Sequence, residues 1–315
     1  MTLTFNEQSK TAYLFPGQGA QVAGMGKDLY DHSGAAKDIF EQVDDALGRS
    51  LSNILFEGPE ESLKDTVNAQ PGIMTVSLAC VAAIKEHIDQ EDIPAPFVMA
   101  GHSLGEYTAL VAAGVLNVRD AALLVQKRGE LMQEACDRNP GTMAAILGLD
   151  EMTLEEIARE SGTFVSNINT NEQIVISGSN MGIARAMDLA TARGAKKVIS
   201  LRVGGAFHSG LMQPAKAGLM ETLKTMDFKK SDVPIIANCT GRPVYAPEEM
   251  KQELVSQISG CVQWKRSVDF MIRSGVQNFL EIGPGKALSG MIKRIDHRAN
   301  TRSVSDIESI MALSR

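Results

Sequence analysis

The sequence predicts an α/β fold with a small second domain, on three observations. Short apolar strands alternate with helix-length segments, glycine-rich turns stop the strands at residues 11–15 and 278–282, and between Gly141 and Leu201 the order becomes β-α-β-β-α-β. That last order is a ferredoxin-like unit. With 315 residues and 44% hydrophobic content, the chain can bury a large core beside a smaller one.

Taken in order, residues 11–15 form an apolar strand halted by Pro16-Gly17-Gln18-Gly19. Residues 38–47 and 75–88 carry helical periodicity, and 97–100 is a second buried strand leading into Gly101-His102-Ser103-Leu104-Gly105, with a helix starting near Glu106. Residues 120–136 form a long helix. The small unit follows as strand 143–147, helix 153–160, strands 164–169 and 173–177, helix 181–193 and strand 197–201. The chain then returns to the first domain through helix 212–226, strand 234–237, helices 248–258 and 264–274, and strand 278–282 before Gly283-Pro284-Gly285. The expected division is a discontinuous large domain, 11–138 with 206–315, around a small domain, 139–205.

Composition excludes several functions. Net charge is −7 and basic runs lack interleaved aromatics, which argues against nucleic acid. Cys80, Cys136, Cys239 and Cys261 lie far apart, and the five histidines show no ligand spacing, so neither a disulfide frame nor a metal is expected. The first ten residues are polar and no stretch approaches a membrane span, so the expectation is a cytoplasmic protein with no membrane partner. Both glycine-rich loops fail nucleotide-binding spacing: the third fingerprint glycine would fall on Val22, and Lys286 is followed by alanine.

The serine between two glycines, set between strand and helix, has the pattern of a nucleophile elbow. A serine hydroxyl needs a neighbouring base, and histidine has the right proton affinity. His102 adjoins Ser103 but should point away from its hydroxyl. His208, after Gly204-Gly205-Ala206-Phe207, follows the last small-domain strand and is the better candidate; its plain alternative is a half-buried structural histidine. Arg128 stands in the apolar stripe Ala121, Leu124, Val125, Leu131, Met132 and Ala135. A buried guanidinium needs a carboxylate, supplied by the protein or by a ligand.

Phe15-Pro16-Gly17-Gln18-Gly19-Ala20-Gln21, Gly101-His102-Ser103-Leu104-Gly105-Glu106, the Arg128 helix, Gly205-Ala206-Phe207-His208-Ser209 and Glu281-Ile282-Gly283-Pro284-Gly285 together resemble the malonyl-CoA:acyl carrier protein transacylase family, in order over residues 11–295. The resemblance implies an α/β-hydrolase-like large domain with an inserted ferredoxin-like domain. It further implies malonyl transfer from malonyl-CoA to Ser103, then to the phosphopantetheine thiol of holo acyl carrier protein, for fatty acid biosynthesis, with no bound cofactor. By the same resemblance His208 is the base, the backbone N–H groups of Gln18 and Leu104 form the oxyanion hole, and Arg128 takes the malonyl carboxylate. Likewise, the Gln257 backbone carbonyl orients the histidine, and Phe207 crowds the α-carbon. Alternatives left open are a polyketide acyltransferase acting in trans, a serine thioesterase or esterase, and a non-catalytic docking module. For carrier docking, Arg193, Lys196, Lys197 and Arg202, or Lys286, Lys293 and Arg294, are the basic clusters on offer.

Overall fold

The computed structural model describes residues 9–314. Most of the polar segment read against a leader, and the last residue of the large-domain span, lie outside them. The described strands are β1 (Lys10–Phe15), β2 (Pro96–Gly101), β3 (Gly141–Leu147), β4 (Phe164–Ile168), β5 (Gln173–Ser179), β6 (Lys197–Ser200), β7 (Ile235–Ile236), β8 (Pro243–Val244), β9 (Val276–Ile282) and β10 (Asn300–Val304). They form two sheets.

The larger sheet has the order β10-β9-β1-β2-β7-β8, parallel except for the β7–β8 pair. Parallel strands covered on both faces read as continuous apolar runs, and Ala12, Leu14 and Phe15 of β1 are fully buried. One face carries the main core with the helices Gly34–Leu47, Thr66–His87 and Val118–Arg138; the other packs on Trp264, Val268, Met271, Leu288 and Ile292. All strands of the smaller sheet lie between Gly141 and Ser200. Their antiparallel order, β4-β5-β3-β6, places the first and third strands of the unit at the centre, with the helices Glu151–Ser161 and Asn180–Ala192 over a third core. The architecture is α/β, as expected, with the ferredoxin-like unit inserted.

Three sequence expectations need correction. The helix expected at residues 75–88 spans Thr66–His87, because Pro71 and Gly72 sit inside it rather than before it. Gly72 packs closely there: a Cβ would stand 2.5 Å from the Leu55 Cδ2 methyl, which would have to move. At 22 residues this helix is also long and apolar enough to cross a membrane, against the expectation that no stretch approaches that length; 83% of its most apolar window is buried inside the protein. The strand β10 was not foreseen, since Asn300-Thr301-Arg302-Ser303 lacks apolar alternation; it is an edge strand beside β9.

The two sheets are joined next to the elbow. Ser166 and Ile168 of β4 exchange backbone hydrogen bonds with Val262, each 2.9 Å, and Asn169 meets His102.

Candidate active site

β1 and β2 are parallel neighbours, so their carboxyl ends bring the Gly17 loop and the Ser103 turn together, where open α/β sheets bind ligands. The flanking glycines have a steric cause. A Cβ on Gly101 would lie 1.9 Å from the Gly105 carbonyl carbon, and one on Gly105 would lie 2.0 Å from the Phe15 carbonyl oxygen. Only glycine lets strand, turn and helix approach so closely. Ser103 itself has φ 53° and ψ −108°, a strained conformation for a residue with a side chain. His208 has φ 55°. These are the two positive-φ residues other than glycine among the described residues, and they face each other.

The Ser103 hydroxyl and His208 Nε2 are 2.7 Å apart, although 105 positions separate them in the chain. His208 Nδ1 lies 2.8 Å from the backbone carbonyl of Gln257. A carbonyl can only accept, so Nδ1 carries the proton and Nε2 is free to accept the one on Ser103. Burial, and then the charge of Arg128, push the His208 pKa down from the ordinary 6.5 to about 3. The ring is therefore neutral at physiological pH, the state a general base needs.

Arg128 is 1% exposed. Its Nη1 donates to Gln70 Oε1, and its Nη2 donates to Ser103 Oγ at 3.1 Å and to Gln257 Oε1 at 3.0 Å. Among the described residues no carboxylate lies within ion-pair distance of it, and Nε has no partner. Of the two partners sequence reasoning left open, the protein carboxylate is absent. A buried cation beside the nucleophile, held only by neutral groups, is electrostatically uncompensated, and an anion placed there would lower its cost.

His102 turns away from the hydroxyl: its Nε2 lies 3.0 Å from Asn169 Oδ1, and its ring meets Trp264 edge-on. The Gln18 side chain donates to Thr66 Oγ1 at 3.3 Å, and Gly17 is packed against the His102 carbonyl. Among the described residues, the backbone N–H groups of Gln18 and Leu104 have no partner; that of Ser103 is taken by Asn238 Oδ1 at 2.7 Å. Phe207 is buried in the main core beside His208. A cleft of about 370 Å³, lined by Glu155, Arg159, Thr163, Phe164, Val165 and Ser259, opens onto His208 from the small-sheet side. No cluster of His, Cys, Asp or Glu suited to a metal occurs among the described residues.

Sequence reasoning missed several groups. Asn238, 2% exposed, clamps the elbow from the far side by accepting from the Ser103 N–H and donating to the Gly101 carbonyl at 2.7 Å. Gln70, the Gln257 side chain and Glu106 complete a buried polar network. Burial, and then neighbouring Glu253, hold the Glu106 carboxyl well above the usual carboxylate range. Gln70 and Glu106 had a signal: each is a polar residue inside an apolar helical run, the same feature that exposed Arg128.

Residues 12–311 match the family model described as acyl transferase domain. The malonyl CoA-acyl carrier protein transacylase of Bacillus subtilis (strain 168) is 45% identical over 307 residues, covering 96% of this chain and 95% of the relative. Among solved structures, an acyl-carrier-protein-S-malonyltransferase from Bartonella henselae superposes with a TM-score of 0.92 at 40% identity, covering 96% of this chain and 98% of that one. A malonyl-transacylase solved in complex with a type II polyketide acyl carrier protein gives a TM-score of 0.92 at 36% identity, covering 97% and 99%.

Proposed function

This chain belongs to the acyl transferase domain family, and on that premise we propose that it moves a malonyl group from coenzyme A to acyl carrier protein through a malonyl-serine at Ser103, in the service of fatty acid biosynthesis. The observation that carries the choice of acyl group is Arg128, a buried guanidinium bonded to the nucleophile and without a carboxylate partner among the described residues. A diacid monothioester supplies the missing anion. An acetyl group does not.

In the first half-reaction His208 Nε2 takes the Ser103 proton as Oγ attacks the thioester carbonyl carbon. The carbonyl oxygen becomes an oxyanion, which we assign to the free N–H groups of Gln18 and Leu104. Collapse breaks the carbon–sulfur bond, and His208 returns its proton to the departing coenzyme A thiolate. The second half-reaction runs the same steps in reverse. His208 takes the proton of the pantetheine thiol, the sulfur attacks the malonyl ester, and Ser103 leaves with the proton restored. The Gln257 carbonyl holds the imidazole in the required tautomer throughout. No bound cofactor enters these steps; the pantetheine arms belong to the two substrates.

We assign the cleft beside His208 to that arm and place selection against α-branched acyl groups on Phe207. The inserted unit is taken as residues 139–205 and the setting as the cytoplasm. For the carrier, the cluster Lys286, Lys293 and Arg294 is the better docking candidate. In the other cluster Arg193 is committed to Glu156 and Glu160, and Lys196 to Glu172.

Intact mass spectrometry after mixing with malonyl-CoA tests the reading. The parent should gain one malonyl group that holo acyl carrier protein removes, and Ser103→Ala should gain none. A malonylated Ser103→Ala protein would overturn the assignment.

A further inference from the structure

Gln257 sits between Arg128 and Glu106, and its carboxamide has two ends that must be told apart. Nε2 has two acceptors, Ser103 O at 2.8 Å and Glu106 Oε2 at 2.7 Å, which leaves Oε1 to face Arg128 Nη2 at 3.0 Å. If the amide were turned over, its NH₂ would point at the guanidinium, donor against donor. The guanidinium itself disfavours that rotation, and on the other side the Ser103 carbonyl and the Glu106 oxygen both hold Nε2, Glu106 being the side chain of the two. Glu106 is 2% exposed; its Oε2 also accepts the Asn238 backbone N–H at 3.3 Å and is reached by no cation within ion-pair distance among the described residues. Around it stand Glu253, whose Oε1 accepts the Cys239 N–H at 2.7 Å, and the amides of Asn238 and Gln257.

We propose that Glu106 is a positioning residue for acyl-group selection: by fixing which end of the Gln257 carboxamide faces Arg128, it holds the guanidinium beside Ser103 for the carboxylate of the substrate. The proposal rests on the reading of Arg128 as the carboxylate receptor. Glu106 touches neither substrate nor reacting atoms, so its effect is confined to the preference for a carboxylated acyl group.

The test is stopped-flow acylation of Ser103 by malonyl-CoA and by acetyl-CoA. Glu106→Met, which removes the acceptor, should lower the malonyl-to-acetyl ratio of kcat/KM roughly tenfold, the worth of one buried hydrogen bond left unmade. That change should come mainly from a higher KM for malonyl-CoA. Glu106→Gln can still turn an oxygen toward Gln257 and should keep the ratio within about threefold of the parent. If the Met variant is not recovered folded, Glu106→Asp, which retracts the carboxylate by one methylene, replaces it with the same expectation. Placed in an Arg128→Ala background, neither removal should change the ratio further. An unchanged ratio in the Met or Asp variant overturns the proposal, as does an equal loss of malonyl and acetyl transfer. A loss in the Gln variant as large as in the others also overturns it, because charge rather than the acceptor would then be responsible. If Arg128→Ala itself leaves the ratio unchanged, the reading of Arg128 fails. If Arg128→Ala lowers it and Glu106→Met does not, only this inference fails.

Discussion

Replacing Arg128 by alanine separates substrate selection from chemistry, because the same guanidinium meets both the nucleophile and the proposed substrate carboxylate. In the free enzyme it gives Ser103 Oγ one hydrogen bond of 3.1 Å, and its remaining partners are neutral: the amides of Gln70 and Gln257 and the Tyr107 ring, 5.1 Å away. With malonyl bound, it becomes half of a buried charge pair. Truncating one partner of such a pair costs about 2–5 kcal/mol, so malonyl acylation should fall between roughly 30-fold and several thousand-fold in kcat/KM. Acetyl acylation offers no anion and loses only the guanidinium's hydrogen bond to Ser103 Oγ, a bond from a charged donor worth about 1.5 kcal/mol, and should fall about tenfold. Single-turnover stopped-flow with both thioesters measures the two constants under one set of conditions. A malonyl-to-acetyl ratio that stays within about twofold of the parent would refute the argument and leave Arg128 as packing.

Three further expectations follow from the geometry. With His208 depressed to about 3, its neutral form persists in the fold well below the ordinary 6.5. The acid limb of serine acylation should therefore lie below about pH 5, and a limb at 6.5 or above would show an imidazole open to water. The same group loads stability with a definite sign: the unfolded chain binds a proton below about pH 6.5 that the folded chain refuses until about pH 3, so stability is full above 6.5 and declines as pH falls, by up to about 1.4 kcal/mol per unit. Gly105→Ala sets a methyl group 2.0 Å from the Phe15 carbonyl oxygen and 2.9 Å from that of Pro16, both backbone atoms. It should cost at least about 1–3 kcal/mol, lower Tm by several degrees and slow acylation; calorimetry with an unchanged Tm would show that strand and helix are not wedged there.

Much of this was legible in the sequence, because the elbow is a local pattern and Arg128 breaks a local period. Gly101 and Gly105 are needed by contacts within five residues and with the neighbouring strand, so their spacing carries the geometry directly. The Thr66 end of its helix was not legible. Pro71 and Gly72 read as breakers, and it takes the tertiary burial of both residues in the main core to show that the helix runs through them. Asn238 was invisible for a different reason. It lies in Ile236-Ala237-Asn238-Cys239, an ordinary strand end, and acquires meaning only because β7 pairs with β2 and delivers it to the elbow 135 positions away. Gln257 was reached through family resemblance alone, since nothing in Leu254-Val255-Ser256-Gln257 marks a carbonyl that will face a histidine.

The partner of His208 Nδ1 is a neutral carbonyl, which fixes the imidazole tautomer without adding an anion to the site. No carboxylate then offsets burial and the Arg128 charge, the two causes that depress His208, and the base stays neutral in the free enzyme. Placing the malonyl carboxylate on Arg128 cancels the charge that helps hold His208 down, so the base strengthens when the correct acyl group is seated and not otherwise. On the proposed reading of Arg128, selection and activation are then one electrostatic event, whereas an acid in the third position, as a hydrolase uses, would raise the base whatever acyl group was seated.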